Sequence, residues 1–135
     1  MREQVAGGRK LLSHLREQKF EVVAACWAKP DDEGRLHLYI VSPLVQTLGR
    51  PAAYGAAFQV LDSLQAGWVD EFERIDSGDL KLLAPDQALA RALLEHNRLY
   101  PDLAPTWHGG LTLGSMSSIE AAYIYPASMF ARSAI

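Results

Sequence analysis

Residues 19–42 read KFEVVAACWAKPDDEGRLHLYIVS, and this stretch decides the fold because it predicts a two-stranded β-hairpin. Both arms alternate β-branched, aromatic and other apolar residues in a manner typical of strands. Between the arms, residues 30–34 (PDDEG) form a cluster of turn-favouring residues, in which Gly34 supplies the positive φ that closes such a loop. We expect the rest of the chain to pack around this hairpin.

The hairpin predicts two faces of different character. If Lys29 lies opposite Arg35, then Trp27 pairs with His37, and this register gathers the apolar residues on one common face. That predicted core face comprises Phe20, Val22, Ala24, Cys26, Ala28, Leu36, Leu38 and Ile40. The other face then carries Trp27, His37 and Tyr39, and it is flanked by Lys29 and Arg35.

Three helices are predicted where apolar residues recur at helical spacing. They span residues 9–18, 51–65 and 86–99. Pro51 suits the first turn of the second helix, and Asp86 is the candidate N-cap of the third. Residues 1–8 are expected to fray, because Gly7 and Gly8 each cost about 1 kcal/mol in a helix interior.

Further strands are predicted in the second half of the chain. A second hairpin is expected over residues 68–84, around the turn sequence DSGD at 76–79. Two short strands near the C-terminus follow a long loop at 101–110 that is rich in proline and glycine. This order of elements predicts an α+β fold, with a small antiparallel sheet built from hairpins and with helices packed mainly on one face.

Length and composition predict one globular domain over residues 1–135. Apolar residues make up 49% of the chain and charged residues 21%, which is ordinary for a folded protein. The tail at 126–135 keeps apolar side chains, so we expect it to dock on the domain or on a partner. The net charge of -3 gives no electrostatic reason for tight non-specific nucleic-acid binding.

The predicted compartment is the cytoplasm, without a membrane partner. No run of eighteen apolar residues is present to cross a membrane, and MREQVAGGRK at the start is not followed by the apolar region of a secretion signal. The single cysteine, Cys26, excludes a disulfide within the chain. The chain also contains no GxxxxGK[ST], GxGxxG, CxxC or HExxH motif, so we expect no nucleotide cofactor and no structural metal site.

Two weak patterns are candidates for catalysis. Asp79 and Lys81 form a D-x-K pattern that resembles one class of metal-dependent nucleases, in which the lysine assists the attacking water and Asp62 or Asp70 would share the metal. About 0.5 such matches arise by chance at this composition, so the pattern has little specificity. His108, in the sequence WHGG, resembles the glycine-rich oxyanion loop of some esterases, although no GxSxG sequence accompanies it.

The candidate binding residues are of two kinds. Trp27, His37 and Tyr39, with Lys29 and Arg35 beside them, form the predicted aromatic and basic face of the hairpin, a combination that stacks bases in single-strand binders. The competing interpretation is that a helix covers this face. Trp107 and His108 lie in the predicted loop at 101–110, and loops of this kind often carry function.

Three hypotheses for function remain open at this point. The leading one is a small non-enzymatic binding or assembly module, which acts as an oligomer or as a subunit of a larger complex. The second is an accessory protein that binds nucleic acid through the Trp27, His37 and Tyr39 face and the basic N-terminal helix. The third is a small hydrolase or metal-dependent nuclease centred on Asp79 and Lys81, or on His108. Protein is therefore the favoured partner and an enzyme the less favoured class.

Overall fold

The computed structural model describes residues 2–30, 36–67, 74–100, 107–113 and 116–130. These residues form four α-helices and five β-strands, so the α+β prediction is confirmed. The helices are α1 (Arg2–Glu17), α2 (Leu44–Leu48), α3 (Arg50–Gln65) and α4 (Ala88–Leu99). The strands are β1 (Ala24–Pro30), β2 (His37–Val41), β3 (Leu80–Leu83), β4 (Trp107–Leu113) and β5 (Met116–Ile124). Short 3-10 turns lie at Ser77–Asp79, directly before β3, and at Ala127–Phe130, after β5.

The five strands form one mixed sheet in the order β3-β2-β1-β5-β4. The pairs β1–β2, β1–β5 and β4–β5 are antiparallel, as predicted, but β2 and β3 are parallel. The second predicted hairpin is not seen among the described residues: β3 pairs with β2 after a crossover through α2 and α3, which is the kind of connection that parallel strands require. Residues 68–73, which would have begun that hairpin, lie outside the described residues.

Helices cover both faces of the sheet. The longest helices, α1 and α3, pack on one face, where Leu11, Leu15 and Leu61 contact the strands. The helix α4 packs on the opposite face through Ala90 and Leu93. The central strand β1 is consequently buried on both sides, and the expectation of helices mainly on one face holds for α1 and α3 but not for α4.

The predicted hairpin register is wrong by one residue. Trp27 pairs with Leu38, and His37 pairs with Ala28. Trp27 therefore lies on the face covered by α1 and α3, whereas His37 and Tyr39 lie on the face covered by α4. The predicted core face is also divided, with Ala24 and Cys26 in one cluster and Leu38 and Ile40 in the other. Because both faces are buried, burial does not select between the two registers.

The helix α1 begins seven residues before the predicted start and includes both glycines. Gly7 and Gly8 are buried within it, so the expected fraying of residues 1–8 is wrong over the described part, Arg2 onward. The helix ends in a Schellman arrangement, in which Phe20 N donates to the Leu15 carbonyl (2.8 Å) and Lys19 N to the Arg16 carbonyl (3.0 Å). Lys19 takes the left-handed conformation that this ending requires, with φ of 65°.

The helix α4 lies across the sheet from the β3 side to the β4 side. It starts at Ala88, only a few residues after β3 ends, and it contacts β1 and β4. Its 12 residues span about 18 Å, close to the ~19 Å width of five strands. The predicted N-cap Asp86 is exposed, and the N-cap position is held by Gln87 instead. The C-terminal end of α4 therefore lies at the β4 side of the molecule.

The described part of the tail, residues 126–130, contacts its own domain. Met129 and Phe130 pack against the cluster that joins α1, α3 and the sheet. The Arg16 guanidinium of α1 also donates a hydrogen bond to the Met129 carbonyl. Residues 131–135 lie outside the described residues.

Candidate functional site

Trp27 is part of the interior of the domain. It is 2% exposed, and its Nε1 donates to the Tyr125 hydroxyl at 3.0 Å. That hydroxyl in turn donates to the carbonyl of Val5 in α1 at 2.8 Å. The two bonds connect β1, the residue after β5 and α1. A base cannot stack on Trp27 in this arrangement, since stacking needs an exposed ring face.

Burial also determines the chemistry of the neighbouring titratable groups. Burial raises the pKa of the Cys26 thiol to about 12, so the thiol stays protonated and is a poor nucleophile. Burial likewise raises the pKa of Tyr125 above its usual value, although the hydrogen bond from Trp27 opposes the shift. Both side chains therefore remain neutral at physiological pH and contribute to packing.

His37 and Asp79 form a pair at the start of the parallel strands. Leu38 pairs with Leu80, so the residues that precede them lie side by side at the same end of β2 and β3. His37 Nδ1 lies 3.5 Å from Asp79 Oδ1, and the two side chains are 8% and 17% exposed. The Asp79 carboxylate therefore lies beside the imidazole in a largely buried position.

Tyr39 and Lys81 are the next pair along the same two strands. The Tyr39 ring makes an edge contact with His37 at a centroid distance of 6.2 Å. The structure thus brings together His37 and Tyr39, which were predicted for binding, with Asp79 and Lys81, which were predicted for catalysis. No local pattern joins the two pairs, because the crossover between β2 and β3 separates them by about forty residues.

A nuclease centre needs further carboxylates around a metal, and the described residues do not bring them to Asp79. Asp62 is exposed on α3, and Asp70 lies outside the described residues. In the described part of the chain, no group of three or more His, Cys, Asp and Glu side chains is close enough to hold a metal ion. One carboxylate beside one histidine supplies fewer oxygen ligands than a Mg²⁺ or Ca²⁺ site needs.

The basic residues predicted to flank the aromatic face are not both described. Lys29 is half-buried near the end of β1, where its backbone pairs with Ala121 of β5. Arg35 lies outside the described residues. The predicted aromatic and basic face is therefore not a single surface, because Trp27 and Tyr39 belong to opposite faces of the sheet.

The outer edge of β3 is closed by hydrogen bonds from other parts of the chain. Leu82 N donates to the Tyr54 hydroxyl of α3 at 2.9 Å, and Arg50 Nη1 donates to the Leu82 carbonyl at 3.3 Å. Just beyond the strand, Ala84 N donates to Gln87 Oε1 at 2.7 Å. These side chains occupy the backbone groups that another strand would need, so β3 cannot accept one without losing them.

The opposite edge of the sheet is formed by β4. On one side β4 pairs with β5, and over the described ranges no strand pairs with its other side. Trp107 and His108 are the first residues of this strand, where their backbones pair with Tyr123 and Ala122. The side chains of 107–113 lie outside the described part. The prediction of a loop over 101–110 is wrong for 107–110, which are strand, and residues 101–106 are not described.

Exposed apolar side chains lie on the same side of the molecule as β4. Leu99 is 53% exposed and Tyr100 is 56% exposed, and both are at the C-terminal end of α4. The Tyr100 ring contacts the His96 ring at a centroid distance of 5.3 Å, which holds it beside the helix. The remaining large apolar side chain exposed among the described residues is Leu48, on α2.

Reasoning from the sequence missed both edges of the sheet. The closure of β3 depends on Arg50 and Tyr54, which lie about thirty positions before it and carry no local signal. A signal for β4 was present in the sequence WHGGLTL at 107–113, because tandem glycines in a strand mark a close approach of another backbone. Residues 107–110 were predicted as part of a loop, whereas 111–113 were predicted as a strand.

Comparison with known proteins identifies no relative: no family model matches the chain, and no curated protein or solved structure matches it significantly. Among the helices of the described residues, none has the length and apolar character needed to cross a membrane.

Proposed function

We propose that this protein is a small non-enzymatic binding or assembly module, which acts as an oligomer or as a subunit of a larger complex in the cytoplasm. The observation that carries the proposal is the difference between the two edges of the sheet. Side chains of α3 and the loop before α4 close β3, whereas β4 has a partner strand on one side only among the described residues.

An edge strand exposes a row of backbone N–H and C=O groups that pair readily with another chain. Folded proteins usually protect such edges, and here β3 is protected by three side-chain contacts. Among the described residues no strand pairs with the outer side of β4, and this supports a role in binding, since strand addition uses these backbone groups for affinity. The exposed Leu99 and Tyr100 at the same side add apolar surface to this region.

The interior residues support the same proposal because their side chains are already engaged within the domain. Trp27, Tyr125 and Cys26 are occupied by packing and by hydrogen bonds within the domain. The pair of His37 and Asp79 is largely buried beneath the face that α4 covers. Within the described residues, the β4 side therefore combines an unpaired strand edge with the exposed apolar side chains of Leu99 and Tyr100.

The experiment that tests the proposal is a measurement of mass in solution. Light scattering on the purified chain at micromolar concentration, in low and high salt, should give a mass above the 14.9 kDa of one copy, or a stable complex with a captured partner. A strict monomer at every concentration, which also retains no defined partner at stoichiometric yield, would contradict it.

A further inference from the structure

We draw no further inference here: the strongest candidate, the polar groove between α1 and α3 on either side of His14, is lined mostly by exposed side chains, and nothing in the structure shows what ligand or partner would fill it.

Discussion

Gly8 of α1 and Tyr125 are in such close contact that a Cβ atom added at Gly8 would lie 2.2 Å from the Tyr125 hydroxyl oxygen. The same atom would lie 2.8 Å from Trp27 Nε1. The missing side chain is therefore what lets the helix backbone approach the hydrogen bonds that join Trp27, Tyr125 and Val5. A residue that weakens the helix locally is required for its packing on the sheet.

We predict that Gly8→Ala destabilises the domain, even though alanine favours a helix. Alanine gains about 0.5–1 kcal/mol over glycine in a helix interior. The clash with Tyr125 and Trp27 is an overpacking defect of about 1–3 kcal/mol, and these two side chains are fixed by their hydrogen bonds. Urea unfolding followed by circular dichroism should give a net loss of about 1–2 kcal/mol in the free energy of unfolding.

Gly55→Ala is the matched control for that prediction. Gly55 is an exposed glycine in α3, and an added Cβ meets nothing within 4 Å. This substitution should raise the free energy of unfolding by about 0.5–1 kcal/mol. A stabilising effect of Gly8→Ala of the same size would show that α1 does not pack on Tyr125 as described.

Tyr125→Phe is expected to destabilise the domain by about 1–3 kcal/mol, because it leaves the buried Trp27 N–H without its acceptor. The cost should be coupled to Trp27. In a double-mutant cycle with Trp27→Phe, the second substitution should cost less once the first is present, with a coupling energy of about 1 kcal/mol. Tyr100→Phe, at an exposed ring, should change the stability by less than about 0.5 kcal/mol. Additive effects of Trp27→Phe and Tyr125→Phe would exclude the hydrogen bond between them.

Opening the β3 edge should increase aggregation. Tyr54→Phe removes the acceptor of Leu82 N–H, and Arg50→Ala removes the donor to its carbonyl. The double variant should lose about 1–3 kcal/mol of stability and form visible aggregates or amyloid-dye-binding species sooner on mild heating. Arg91→Ala, an exposed arginine on α4, is the control and should behave like the native chain. Aggregation of the double variant at the native rate would mean that those contacts do not protect the edge.

Alkaline pH should destabilise the protein through Cys26. Its thiol pKa is raised to about 12 in the folded state, whereas an unfolded thiol has a pKa near ~8.5. Below pH ~8.5 both states hold the proton, and above it the unfolded state alone releases it, so the free energy of unfolding falls by up to ~1.4 kcal/mol per pH unit until the folded thiol titrates. Urea midpoints between pH 8 and 11 measure this slope. Cys26→Ala should reduce it, and an unchanged slope would assign the effect to other groups.

The sequence predicted the elements of the fold better than their pairing. The helix at 51–65 and the hairpin strands around Trp27 and Leu38 are present because their sequence signals, such as Pro51 in the first helical turn, are local. The predicted register of the same hairpin is wrong: Trp27 was predicted to pair with His37, and it pairs with Leu38, one residue further along. An alternating pattern selects a register only when one face meets solvent, and here α1 and α3 cover one face while α4 covers the other.

The candidate site was predictable in its members but not in its arrangement. His37, Tyr39, Asp79 and Lys81 were each selected from the sequence, yet their proximity follows from the parallel pairing of β2 and β3. The need for a glycine at position 8 likewise comes from its close contact with Tyr125, which is more than a hundred positions away in the chain. Contacts of this kind have no local sequence signal, because the neighbour that decides them is distant in the chain.

The closed edge of β3 has a consequence for stoichiometry. A sheet that accepts strands at both edges can grow without limit, and each added copy presents a new site for the next one. In this molecule Arg50, Tyr54 and Gln87 act as a terminator at one end of the sheet. Growth from the β3 edge would first have to break these hydrogen bonds, so this end of the sheet resists extension by further chains.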